Sequence, residues 1–493
     1  MDRMSQGLPR RDFLKAVAGG ALLAGGGSSL RAQTAATAPN IVVILADDLG
    51  FGDLRCYGSN IPTPNIDSMA VEGVRFEHFY SASAVCSPSR AALMSGRYPT
   101  RVGCADVLSP SDGAGLSLSE TTIAQMLKPA GYKTMCVGKW HLGTSAAYLP
   151  TSRGFDHYWG IPYSNDQTPS ILMQDTAIIE SPVELDTLTQ RYTQQATSFI
   201  QQSKSSPFFL YFAHTFPHIP LVASAAFKGS TGMGLYADVI SEIDWSVGQV
   251  LQSLKDNGLD NNTLTIFTSD NGPWYLGSPG KLRGRKGWTY EGGVREPFIA
   301  RFPGRIPAGR LAAQTPAPSA ASASPGHEVN EASSRVSTSM ATMLDLLPTI
   351  AGLTNSKLPG KLDGVDIWPI LSGKQESVDH DIFLYFDSWN IQCARLGPWK
   401  LHVARYNDFP WNPDPPGGRL NLPLTPPELY NVVTDPDESY DVAADNPAIV
   451  SDIQARIVAA LPTFPAAVRN SWTVTMALKA SAPDGGLPIQ IPQ

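Results

Sequence analysis

The chain has 493 residues, with 44 acidic against 37 basic side chains and a formal net charge of −7. That balance, without basic stripes, excludes a general nucleic-acid binder, and the length is ample for a large core in two or more structural units. No apolar run reaches the roughly 20 residues that a bilayer-spanning helix needs, so no stable membrane anchor is expected.

In chain order, Pro9-Arg10-Arg11-Asp12-Phe13-Leu14-Lys15 and the weakly apolar Ala16 to Ala24 read as a twin-arginine signal segment over residues 1–32. The expected location is periplasmic or secreted, with the twin-arginine export machinery as a partner. No cysteine follows the apolar stretch, which argues against a lipid anchor. Asn40 to Ala46 is a short continuous apolar run, rich in β-branched residues, and predicts a buried parallel strand. Phe208 to Ala213 and Thr263 to Ser269 predict the same. Helical patterns fall at Ile66 to Glu72, Ser89 to Met94, Thr121 to Lys128 and Tyr236 to Lys255. Strands alternating with helices imply an α/β fold with a mostly parallel central sheet flanked by helices, whose polar residues gather along one edge. The Ala/Pro/Ser-rich stretch 312–334 reads as a flexible surface loop. Beyond it, Ile382 to Phe386, Ile391 to Leu396, Trp399 to Ala404 and a helical pattern at Pro447 to Leu461 predict a smaller C-terminal α+β unit with an antiparallel sheet. The expected boundaries are 39–375 for the large domain and 376–493 for the small one.

Five cysteines are present: Cys56, Cys86, Cys104, Cys136 and Cys393. Their spacing matches no zinc pattern. Cys86 stands in Cys86-Ser87-Pro88-Ser89-Arg90, which continues to Ser95-Gly96-Arg97. The other four read as buried thiols in preference to disulfides.

Asp47-Asp48 and Asp270-Asn271 each follow a predicted strand directly. Either pair alone fits an ordinary strand-end turn. Together they offer hard oxygen ligands, which suit Ca²⁺ and, less well, Mg²⁺. Pro88 and Ser89 read as a helix start, which places residue 86 where backbone N–H groups favour an anionic oxygen, with Arg90 one turn on. Gly131 to His141 ends in Gly138-Lys139-Trp140-His141, where an extended segment would point Lys139 and His141 to one side. A lysine beside an imidazole fits binding of a tetrahedral anion with proton transfer. His218 lies between two prolines, and Lys281, Arg283, Arg285, Lys286 and Arg295 make a basic, glycine-rich loop suited to closing over an anion.

These blocks, in this order, resemble the formylglycine-dependent sulfatases of the alkaline-phosphatase superfamily. Gly160 to Asp166 and Lys286 to Pro297 look most like the arylsulfatase A branch. Leu429-Tyr430-Asn431 with Thr434-Asp435-Pro436 is similar to the family's C-terminal unit. The resemblance implies that Cys86 is oxidised to formylglycine by a cytoplasmic maturation enzyme before export. It further implies that Asp47, Asp48, Asp270, Asn271 and an oxygen of residue 86 bind Ca²⁺. Arg90 and His141 would hold the hydrated aldehyde, and Lys139, His218 and Lys286 would contact sulfate. Ser164 and His402 would reach the substrate.

One hydroxyl of the hydrated aldehyde would attack sulfur. His218 or Lys286 would protonate the departing alcohol, and His141 would take the proton whose loss expels sulfate and restores the aldehyde. The expected substrate is an aryl or carbohydrate sulfate ester. Two alternatives stand: a phosphate or phosphonate ester hydrolase on the same fold, and a non-catalytic sulfoglycan-binding protein. The Ala/Pro/Ser stretch is longer than the family's usual connection after a turn such as Phe302-Pro303-Gly304, which bears on the domain boundary and not on the site.

Overall fold

The computed structural model describes residues 38–309, 334–412 and 418–478. The segment read for export, 1–32, and all of the stretch 312–334 except Ser334 lie outside the described residues.

Asn40–Ala46 (β1) is buried throughout. Its side chains alternate between two cores: Ile41, Val43 and Leu45 enter one, and Val42, Ile44 and Ala46 the other. A strand covered on both faces reads as an unbroken apolar run, which is how the sequence presents it. Nine further strands join it: Val74–Tyr80 (β2), Lys133–Gly138 (β3), His157–Gly160 (β4), Leu172–Gln174 (β5), Ala177–Glu180 (β6), Phe208–Ala213 (β7), Thr263–Ser269 (β8), Arg295–Arg301 (β9) and Arg335–Thr342 (β10). Their spatial order is β10-β2-β9-β8-β1-β7-β3-β4-β5-β6. The central run β8-β1-β7-β3-β4 is parallel. β9 runs against both of its neighbours, and β5 does likewise.

This topology places the functional residues. The carboxyl ends of β8, β1, β7, β3 and β4 share one edge of the sheet, where open α/β folds hold their sites. Because β9 is antiparallel to β8, its amino end lies at that same edge. The long loop joining β8 to β9, which carries Lys286, therefore stays over it.

The helices include Pro64–Val71 (α1), Cys86–Ser95 (α2), Ile123–Leu127 (α3), Leu188–Gln202 (α4) and Leu235–Asp256 (α5). No described helix is long and apolar enough to cross a membrane. α2 starts three residues earlier than the pattern from Ser89 implied, with extended Val85 as N-cap and Gly96 at φ 66° ending it. Thus Cys86 is itself the first helical residue.

The C-terminal strands Phe383–Asp387 (β11), Asn390–Leu396 (β12), Trp399–Tyr406 (β13) and Asn421–Asn431 (β14) form an antiparallel sheet in sequence order. A bridge from Ser83 to Phe386 ties it to the segment leading into α2. All five cysteines are free, and Cys86, Cys104, Cys136 and Cys393 are buried.

Candidate active site

Residues from separate strand ends converge beside the first turn of α2. Asp47 and Asp48 leave β1, and Asp48 adopts φ 63°. That left-handed turn sends its amide onto Asp270 Oδ1 at 3.1 Å. Asp270 and Asn271 leave β8, and Asn271 Nδ2 donates to Asp48 Oδ1 at 2.7 Å. Asp47, Asp48, Asp270 and Asn271 are all essentially without solvent exposure.

Three permanent cations face these three carboxylates. Lys139 Nζ donates to Asp47 Oδ2 at 2.6 Å and to Ser164 Oγ at 3.2 Å. Lys286 Nζ donates to Asp48 Oδ2 at 2.8 Å, and His218 Nε2 lies 3.7 Å from the same oxygen. Arg90 is completely buried: Nε and Nη2 contact Asp270 Oδ2 at 2.9 and 2.7 Å, and Nη1 donates to Lys139 O at 2.9 Å. Its Nη2 is also 3.5 Å from Asp47 Oδ1.

Burial opposes charge on Asp47, but Lys139 and Arg90 outweigh it and hold the carboxyl below its usual range. Asp270 shifts the other way, because burial and the Asp47 charge together exceed the pull of Arg90 and Lys139.

The same residues bear on cation binding. Asp47 Oδ1 and Asn271 Oδ1 are buried without a hydrogen-bond partner, an arrangement that is costly unless something else satisfies them. Ligand atoms of Asp47, Cys86 and Asp270 lie within 4.8 Å of one another, as do those of Asp48, Cys86 and His218. Orphaned, oxygen-rich donors between paired carboxylates fit a hard divalent cation.

Cys86 lies at the foot of a cavity of about 210 Å³ lined also by His141, Ser164, Asp166, Gln167, His218, Trp274, Lys286 and Trp411. Burial pushes its thiol up to about 11 despite Lys139 and Lys286. At neutral pH an unmodified Cys86 is therefore a protonated thiol and a poor nucleophile. His141 Nε2 is 2.9 Å from Leu108 O. A carbonyl only accepts, so Nε2 carries the proton, and Nδ1, buried without a partner, is a free base. Burial and then the charges of Lys139 and Arg90 keep this imidazole neutral, well below its ordinary range.

The structure thus brings together Asp47, Asp48, Cys86, Arg90, Lys139, His141, Ser164, His218, Asp270, Asn271 and Lys286, with four adjustments. Lys139 and His141 do not share an extended segment: Gly138 turns at φ 101° and His141 at φ 59°, and these turns carry both side chains inward. Arg90 lies behind the carboxylates and does not line the cavity.

Of the basic loop, only Lys286 enters the cavity. Arg283 Nη1 donates to Glu438 O, Arg285 Nη1 to Trp274 O, and Arg295 Nε to Glu77 O. His402, expected to reach the substrate, is instead buried on β13, with Nε2 2.6 Å from Glu438 Oε1 and Nδ1 3.1 Å from Cys393 Sγ. Pairing of β13 between β12 and β14 holds it in the core of the small unit.

Asp166, Trp274 and Trp411 were not anticipated. Asp166 closes the quoted stretch from Gly160, whereas the two tryptophans carry no sequence pattern and meet only through the fold.

Comparison with known proteins agrees with this geometry. The Sulfatase family model matches residues 39–356. Arylsulfatase A of Bos taurus is 37% identical over 451 residues, covering 83% of this chain and 84% of the relative. N-acetylgalactosamine-6-sulfatase of Canis lupus familiaris is 38% identical over 410 residues, covering 76% and 73%. Among solved structures, Ps i-CgsB in complex with k-i-k-neocarrahexaose superposes with a TM-score of 0.71 at 27% identity, covering 90% of this chain and 98% of that one. With the family matched over most of the chain and the paired carboxylates and cations gathered beside the cavity, the chain belongs to the sulfatase family and is a sulfuric ester hydrolase.

Proposed function

We propose that the enzyme releases inorganic sulfate from aryl or carbohydrate sulfate esters, using formylglycine formed at position 86 and a Ca²⁺ ion held by Asp47, Asp48, Asp270 and Asn271. The observation that carries this reading is the setting of Cys86. It is the first residue of α2 and lines the cavity beside His141 and Lys286. A thiol there is ill-suited to attack sulfur, whereas an aldehyde hydrate offers two oxygens on one carbon, one to attack and one to expel the sulfate.

Each side chain then has a task its position supports. Arg90 clamps Asp270 and Asp47 from behind and keeps the acidic cradle in register. A divalent cation bound there would supply positive charge to polarise sulfate and lower the cost of ionising the attacking hydroxyl. Lys139 and Lys286 bring fixed positive charge to the sulfuryl oxygens. His218 or Lys286, both lining the cavity, donates the proton to the departing alcohol. His141 Nδ1, unpartnered and unprotonated, accepts the proton whose removal releases sulfate.

The carbohydrate option draws on the relatives, among them an N-acetylgalactosamine-6-sulfatase and a structure complexed with a neocarrahexaose. Arg10-Arg11 and the apolar stretch after them support export to the periplasm or beyond, following maturation in the cytoplasm.

Mass spectrometry of the peptide spanning residue 86 tests the central claim. The expected result is an aldehyde in place of the thiol, with sulfate release abolished in Cys86→Ala. An active enzyme whose residue 86 is entirely unmodified overturns it. For export, Arg10→Lys with Arg11→Lys should retain the protein in the cytoplasm, as read by cell fractionation.

A further inference from the structure

Trp274, Trp411 and Asp166 line the same cavity as Cys86 but have no part in the sulfur chemistry. Trp274 follows Asp270-Asn271 in the β8–β9 loop, and Trp411 comes from the small C-terminal unit. Their ring centroids are 5.1 Å apart at 68°. Each lies 6.0 Å from Lys286 Nζ.

Trp411 is pinned. Its Nε1 donates to Lys286 O at 3.2 Å, and its ring rests on Gly287, where a Cβ would come within 2.9 Å of Cζ2. Trp274 is backed by Tyr275, with centroids 5.0 Å apart, and Tyr275 meets Phe409 at 5.9 Å. The wall is therefore held in place before any ligand arrives.

Asp166 also lines the cavity, and it is solvent-exposed. Its carboxyl is held below the usual range: partial desolvation by the surrounding protein opposes this, but His218, the Ser164 hydroxyl and Lys139 prevail. The neighbouring Gln167 is committed to the loop, with Oε1 accepting from Ser164 N at 3.1 Å and Nε2 donating to Leu108 O at 3.0 Å. Arg285 turns its guanidinium to Trp274 O and Gly277 O. An aromatic wall suits the C–H face of a sugar ring. An ionised carboxylate accepts a hydroxyl proton strongly and repels a second anion.

We propose that Trp274, Trp411 and Asp166 form the leaving-alcohol subsite and select an uncharged pyranose sulfate, the ring lying on the tryptophans with a hydroxyl donating to Asp166. Sugars carrying a carboxylate or further sulfates are disfavoured. This rests on the reading that sulfur is attacked at residue 86 on the cavity floor.

The test is kcat/KM of the full chain, aldehyde confirmed, on 4-nitrophenyl sulfate, galactose 6-sulfate and glucosamine 2-N,6-O-disulfate. Wild type should prefer galactose 6-sulfate to the disulfate by roughly tenfold or more. A hydrogen bond to a charged group sets the scale for Asp166→Asn, about a tenfold loss on galactose 6-sulfate, mostly in KM, with a shrunken preference over the disulfate. Trp411→Ala, with folding checked by thermal melt, should raise KM for galactose 6-sulfate by a similar factor.

Equal or better turnover of the disulfate by wild type overturns the proposal, as does an unchanged preference in Asp166→Asn. Failure on 4-nitrophenyl sulfate as well as both sugars overturns the chemistry proposed at residue 86, since that probe asks nothing of Asp166.

Discussion

Cys86, His141 and the orphaned oxygens show how much of this site depends on desolvation. Burial keeps Cys86 protonated and His141 neutral, so the proton inventory at neutral pH is set by position and not by residue type. His141→Gln keeps a polar group against Leu108 O but removes the free Nδ1. It should lower kcat by about 10²- to 10⁴-fold, the usual range for a general base, with the thermal midpoint nearly unchanged. Steady-state rates and a melt on the same sample check both halves.

Asp47 Oδ1 and Asn271 Oδ1 lack hydrogen-bond partners, and Asp47 and Asp270 repel each other. A bound cation relieves both. Dialysis against a chelator should therefore lower the melting temperature as well as the activity, and added Ca²⁺ should restore it in a concentration-dependent way.

Among the elements, junctions matter more than interiors. Gly138 ends β3 at φ 101°, and a Cβ there would come within 1.8 Å of Ala213 O at the end of β7. Gly138→Ala therefore strains the backbone and parts two adjacent strands at the point where Lys139 emerges. A loss of at least about 2 kcal/mol in urea denaturation is expected, along with reduced activity.

α1 depends on a distant cap. Asp244 in α5 accepts from Asn65 N at 3.0 Å and Ile66 N at 2.8 Å, serving the first turn that no N-cap side chain serves. Asp244→Ala should cost about 1–3 kcal/mol by leaving these amides unpaired, measured by denaturant titration.

One strand escaped the sequence reading because its ends are charged. β9, Arg-Glu-Pro-Phe-Ile-Ala-Arg, is buried along its whole length yet begins and ends on arginine. Arg301 is met by Glu72 at 2.5 Å and Asp260 at 2.7 Å, partners that only the fold supplies. Polarity disguised a fully buried strand.

For the whole molecule, buried neutral histidines add an acid-sensitive component to stability, set against buried carboxyls such as Asp53 and Asp244 that burial raises to about 6. Burial lowers His78 to about 3, helped by Arg295 and Arg395, and burial alone lowers His214 to about 3. In the unfolded chain both would titrate near 6.5. Below that pH the unfolded state binds more protons, so their contribution is intact above about 6.5 and declines toward about 3, at about 1.4 kcal/mol per pH unit for each fully engaged group. Between pH 7 and pH 5 the urea midpoint of wild type should drop relative to that of His214→Gln, provided the variant folds. His78→Gln provides the second measurement.

The small unit is anchored to the large one by Lys400, 3.0 Å from Glu291 and 3.2 Å from Glu438. His402 serves this same junction, paired with Glu438, and so is not free to meet a substrate.

By itself the sequence determined the class of fold and the chemistry of the floor. Apolar runs such as Asn40 to Ala46 are local, and the residues that follow them, Asp47, Asp48, Asp270 and Asn271, must fall at strand ends wherever the sheet goes. Cys86, Lys139 and His141 are likewise legible from the short motifs around them. Only the tertiary structure decided which cations face the cavity and which turn to backbone carbonyls, and it placed His402 in a core and two distant tryptophans on one wall. Those outcomes depend on the antiparallel insertion of β9 and on the docking of the C-terminal sheet, contacts between residues more than a hundred positions apart that no local pattern encodes.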